Sequence, residues 1–105
     1  MLADTDIKKI VERVVAIEHP QQVILFGSYA CGEQTEDSDL ELLVVFEKVS
    51  EKGRKMAEVR NTIGRVAPGI GVDILVSSIS EIGNPPIGST LFFSIREGRT
   101  LYEAE

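Results

Sequence analysis

At 105 residues and 43% hydrophobic content, the chain can bury one core but leaves no length for a separate substrate-binding domain, so residues 1–105 read as a single unit. The net charge is −6, and no run of Lys or Arg interleaves with aromatic residues, which argues against unaided nucleic-acid binding and favours a basic partner. Cys31 is the only cysteine, so no internal disulfide can form; no apolar stretch approaches membrane length, and Met1-Leu2-Ala3-Asp4-Thr5-Asp6 lacks the basic and apolar regions of a signal peptide. A cytoplasmic location is the expectation.

In chain order, Ile7, Ile10, Val11, Val14 and Val15 recur on one face of a helix over about Thr5 to Glu18, suited to covering a sheet. His19 precedes Pro20 at its end, where a cationic ring favours the helix dipole, and has no catalytic part. Val23-Ile24-Leu25-Phe26 reads as a strand that empties into Gly27-Ser28. A Gly-Ser pair between a strand and a turn or short helix can aim backbone N–H groups and a hydroxyl at a phosphate. Taken alone, such a pair is far more often only a turn. Cys31, with no His or second Cys close in sequence, reads as a small space filler, and Glu33-Gln34-Thr35-Glu36-Asp37 as a solvated acidic loop.

The next strand run carries Asp39-Leu40-Glu41 at its start, followed by Leu42-Leu43-Val44-Val45-Phe46. The two-residue period of a strand sends Asp39 and Glu41 out of one face and Leu40 and Leu42 into the other. Two carboxylates that close repel each other unless a cation lies between them, which points to a hard divalent ion such as Mg²⁺. The bland alternative is the solvated face of a half-buried strand.

Between Glu51 and Ala67, Met56, Val59, Ile63 and Val66 recur at helical steps, with Ser50 available as a cap and Pro68-Gly69 as the stop. Arg54, Lys55, Arg60 and Arg65 on this helix are candidates for meeting a triphosphate, although a solvated face is their default meaning. The helix can serve as a crossover to Gly71-Val72-Asp73-Ile74-Leu75-Val76, a strand whose lone acid must be paired, solvated or metal-bound. Ile82 to Gly88 is expected to form a rigid connector, followed by a last helix capped at Ser89 and ending at Gly98. The fold class is α/β, a mixed sheet with helices packed against it. Exposed strand edges leave a homo-oligomer or a partner complex open.

Three segments in order, Gly27-Ser28-Tyr29-Ala30-Cys31-Gly32, Ser38-Asp39-Leu40-Glu41-Leu42 and Val72-Asp73-Ile74, resemble the minimal nucleotidyltransferase (MNT) family of the polymerase beta-like superfamily. The tail from Leu91 to Tyr102 is similar to that family's closing helix and short strand. The resemblance implies that Gly27, Ser28 and Ser38 bind the nucleotide and that Asp39, Glu41 and Asp73 hold two Mg²⁺ ions, with Asp73 also orienting or deprotonating the acceptor hydroxyl. Position 41 departs from the many members that carry Asp, and its extra methylene shifts a ligand for an ion that demands near-octahedral geometry.

The resemblance extends to MNT antitoxins, which pair with HEPN toxins, helical ribonucleases, and silence them by moving AMP from ATP to a toxin tyrosine. On that reading the toxin is the acceptor that the chain itself has no room for. Two other functions fit the same residues: an antitoxin that neutralises its partner by masking without catalysis, and a subunit of a small-molecule nucleotidyltransferase of the antibiotic-modifying kind.

Overall fold

The computed structural model describes residues 1–105, and the first of its elements, α1 (Asp4–Glu18), starts on acidic residues that suit the positive end of a helix. Asp6 Oδ2 accepts from the Ala3 N–H at 2.9 Å, satisfying one of the donors left orphaned at a helix start. The helix stops at His19, whose backbone is left-handed (φ 53°) and whose N–H reaches Val15 O, and Pro20 prevents continuation. His19 thus contributes through its backbone, with an exposed ring beyond the last turn.

After α1 come β1 (Gln22–Phe26), the one-turn α2 (Ser28–Cys31), β2 (Leu40–Phe46), α3 (Lys52–Ile63), β3 (Val72–Ser78), the one-turn α4 (Ile79–Ile82), α5 (Thr90–Glu97) and β4 (Arg99–Glu103). The strands form one mixed sheet in the order β3-β2-β1-β4, with β2 and β3 parallel and the other two pairings antiparallel. The parallel pair needs a crossover, and α3 supplies it.

The two sheet faces are covered unequally. Val23 and Leu25 of β1, Leu40, Leu42 and Val44 of β2 and Ile74 and Val76 of β3 point to the face covered by α1 and α3, where they join Ile7, Val11, Val14, Val59 and Ile63 in the main core. Ile24, Leu43 and Val45 point the other way and are covered by Ile82 of α4 and by Leu91 and Ile95 of α5. The uninterrupted apolar run in β2 is therefore a strand buried on both sides.

Several local expectations are corrected. α3 ends at Ile63 rather than at Pro68-Gly69, because Gly64 takes a left-handed turn (φ 67°), its N–H closing on Arg60 O at 3.0 Å. Val66 lies beyond the helix yet still packs on the main core, and Pro68-Gly69 is the tip of a turn closed by an Ala67–Ile70 bridge. The residue at the helix start is Glu51, without a side-chain capping bond, not Ser50. Ile82 belongs to α4, which Ser78 and Glu81 cap reciprocally, so the connector begins at Gly83. Cys31 is exposed and fills no space; the core position in α2 is held by Tyr29, whose hydroxyl accepts from the Leu2 N–H at 2.9 Å.

Candidate active site

The antiparallel register sets Phe26 opposite Glu41, and the parallel register sets Glu41 beside Asp73. The end of β1 and the starts of β2 and β3 therefore meet at one margin of the sheet. Glu41 and Asp73 fall on the same face as Leu43 and Leu75, the face covered by α4 and α5, but beyond the apolar cluster those helices bury. Asp39 sits one residue before β2, exposed, and its Oδ1 accepts from the Gly71 N–H at 2.9 Å, joining the approaches to β2 and β3.

Gly27 links this margin to the turn. Its backbone (φ 76°, ψ −158°) lies in a region that only glycine occupies readily. A Cβ placed on Gly27 would lie 1.6 Å from Glu41 Oε2, so the Glu41 carboxylate fills the space that the missing side chain leaves. Ser28 follows as the first residue of α2, and the Gly27 carbonyl accepts from the N–H groups of Ala30 and Cys31, winding the chain tightly straight after the strand. The Gly-Ser turn and the carboxylate at position 41 are thus in contact.

Electrostatically the margin is uncompensated. Burial first, and then repulsion from Asp73 and Asp39, holds the Glu41 carboxyl above the usual glutamate range. The ion pairs of the protein lie elsewhere, joining Lys52 to Glu81, Arg54 to Glu51, and Lys55 to Glu18 and Glu58. Three carboxyl groups gathered at one margin, with no protein ion pair among them, are a donor set suited to a hard divalent cation. As they stand they do not close into a cluster of three metal-holding groups. Asp39 keeps Oδ2 free of the Gly71 contact, while the Glu41 carboxylate rests against Gly27.

Ser38 is placed differently from the other candidates. Its hydroxyl accepts from the Thr35 N–H at 2.9 Å and lies 3.3 Å from the Thr35 hydroxyl, so it clasps the loop that leads into β2. Lys55 is likewise occupied: its ammonium bonds Glu18 and Glu58 at 3.1 and 3.2 Å and lies 4.5 Å from the centre of the Phe46 ring.

One feature beside the Gly27 turn is not legible in the sequence. Between Gly27 and α5 lies a hollow of about 140 Å³ lined by Phe26, Gly27, Thr90, Phe93, Ser94 and Glu97. The signal was present in the helical spacing of Thr90, Phe93, Ser94 and Glu97, but it carries no meaning until α5 is docked beside β1. A larger groove of about 410 Å³, between α1 and β4, opens on the opposite face of the sheet.

Residues 7–96 match the family model described as a nucleotidyltransferase domain, and the chain belongs to that family. Its activity class is accordingly nucleotidyl transfer. Among solved structures, a candidate nucleotidyltransferase from Sulfolobus solfataricus aligns with a TM-score of 0.65 at 22% identity, over 94% of this chain and 78% of its own. A toxin–antitoxin structure with AMP-PNP aligns at 0.64 and 22% identity, over 99% and 76%. A mutant of the toxin–antitoxin pair MntA–HpeT aligns at 0.61 and 21% identity, over 99% and 75%. At such identities these likenesses establish the shared fold. No curated protein matches the sequence at a significant level.

Proposed function

We propose that this chain is a divalent-metal-dependent nucleotidyltransferase that moves AMP from ATP to a hydroxyl of a partner protein, a tyrosine of a helical HEPN-type toxin, and so acts as its antitoxin. The observation that carries the reading is the convergence of Gly27-Ser28 with Asp39, Glu41 and Asp73 at one sheet margin, with Gly27 against the Glu41 carboxylate. The likeness to toxin–antitoxin structures, one of them with an ATP analogue, supports the choice of partner and nucleotide. The net charge of −6 suits a basic, RNA-directed partner.

In this mechanism the Gly27-Ser28 turn holds the terminal phosphates, and Asp39, Glu41 and Asp73 are the residues that would hold Mg²⁺. When bound, the ions supply positive charge to the phosphates and to the attacking and departing oxygens. The acceptor oxygen forms a bond to the α-phosphorus while the bond from that phosphorus to the oxygen bridging to the β-phosphate breaks, and pyrophosphate departs. The acceptor proton passes to the Asp73 carboxylate, which the parallel register sets beside Glu41.

The test is to combine the chain with its helical partner, Mg²⁺ and ATP, and to weigh the partner intact, with Asp39→Ala and Asp73→Ala in parallel. A gain of whole AMP units that both variants abolish is the expected result. A stable complex of unchanged mass would replace catalysis with masking.

A further inference from the structure

We infer that the hollow between Gly27 and α5 is the seat of the nucleobase, with the Phe93 ring as its stacking platform. This rests on the nucleotidyltransferase reading and adds a residue-level assignment to it.

Three observations carry it. The hollow shares Gly27 with the turn that contacts the Glu41 carboxylate, so a nucleotide with its phosphates at that turn has this space within reach. Its volume of about 140 Å³ suits one heterocyclic base rather than a whole nucleotide or a peptide segment. Phe93 is 48% exposed although its helix packs Leu91 and Ile95 against the sheet, and it lines the hollow. A single exposed aromatic is ordinary on a protein surface. What distinguishes this one is its place between a recess and a nucleotide-directed turn.

The ring is also braced. Phe92 meets Phe93 edge to face, with centroids 5.5 Å apart and planes at 83°. α5 is itself fixed at its start, where the Ser89 hydroxyl accepts from the Phe92 N–H at 3.1 Å and the Ser89 carbonyl from the Phe93 N–H at 3.2 Å. A braced ring loses little freedom on stacking with a base. Thr90 and Glu97, at helical spacing on either side of Phe93, supply polar groups for the edge of the base, giving the mix of apolar wall and few polar groups that small-ligand sites favour.

The test compares, by titration calorimetry with Mg²⁺, the binding of ATP and of inorganic triphosphate to the wild type, Phe93→Ala and Phe93→Tyr. Stacking on an aromatic side chain predicts that Phe93→Ala weakens ATP roughly tenfold to a hundredfold, that triphosphate binding is unchanged, and that Phe93→Tyr retains ATP affinity. Unchanged ATP binding by Phe93→Ala would overturn the base assignment while leaving the phosphate and metal site standing. Equal weakening of both ligands would also overturn it, since a base platform cannot act on a ligand without a base. If the wild type binds neither ligand, the nucleotidyltransferase reading of the margin fails, and the assignment falls with it.

Discussion

Replacing Gly27 by alanine probes the junction of turn and carboxylate directly. Two separable costs are expected. The backbone at φ 76°, ψ −158° is open only to glycine, and holding another residue there costs about 1–3 kcal/mol. The added methyl would also overlap Glu41 Oε2, but the struck group is the end of a flexible, half-buried side chain that can turn aside, so this second cost is about 0.5–1.5 kcal/mol. A double-mutant cycle separates them, because Glu41→Ala removes the overlap and leaves the backbone cost. Urea unfolding of the wild type, Gly27→Ala, Glu41→Ala and the pair should show Gly27→Ala costing about 1.5–4.5 kcal/mol alone and about 1–3 kcal/mol once position 41 is alanine. Additive effects, within about 0.5 kcal/mol, would refute the contact.

Other outcomes follow from the same structure. Since the folded-state proton affinity of Glu41 is raised by burial, Asp73 and Asp39, the native protein binds a proton there more readily than the unfolded chain, and stability is lost as pH rises through that window. Without divalent cations Glu41→Gln should therefore melt higher than the wild type by an amount that grows from pH 4 towards pH 7, and a wild type that melts higher at pH 7 would contradict a cost from burying that charge beside Asp73 and Asp39. Leu43→Ala, beneath α4 and α5, should cost about 2–5 kcal/mol in urea unfolding; a loss below about 1 kcal/mol would mean that those helices do not seal the second face. Lys55 is buried enough to disfavour its charge, yet its hydrogen bonds to Glu18 and Glu58 outweigh this and raise its proton affinity. Lys55→Met should thus cost about 1–3 kcal/mol at neutral pH, a difference that shrinks as alkali deprotonates the lysine in the wild type. Ser78→Ala should cost about 0.5–2 kcal/mol and speed amide exchange at Glu81, which the Ser78 hydroxyl now protects.

How much was legible in the sequence depends on how local the cause is. Alternation in Asp39-Leu40-Glu41-Leu42 assigns faces correctly because the strand period is geometric, and Leu40 and Leu42 do lie in the main core. The last helix is bounded by Ser89 and Gly98 as read, since caps act over a few residues. The stop of α3 was misread because both Gly64 and Pro68-Gly69 can end a helix, and periodicity carried through Val66, which packs on the core from outside the helix. α4 was overlooked although Ser78 and Glu81 have capping-box spacing, because four residues give no period to detect. At the site, the three expected acids reach one margin, whereas the Ser38 hydroxyl turns to Thr35, a choice of hydrogen-bond partner that no motif encodes.

The same unequal coverage explains why the margin is chemically distinct. Along the second face of β2 the side chains pass from Val45 and Leu43, buried under α4 and α5, to Glu41 and then exposed Asp39. An acid half-buried against Gly27 near two others carries a cost in desolvation and repulsion that no ion pair of the protein offsets. A bound cation would recover it. On that argument Mg²⁺ should raise the melting temperature of the wild type more than that of Glu41→Gln, and equal shifts would separate the acidic margin from metal binding.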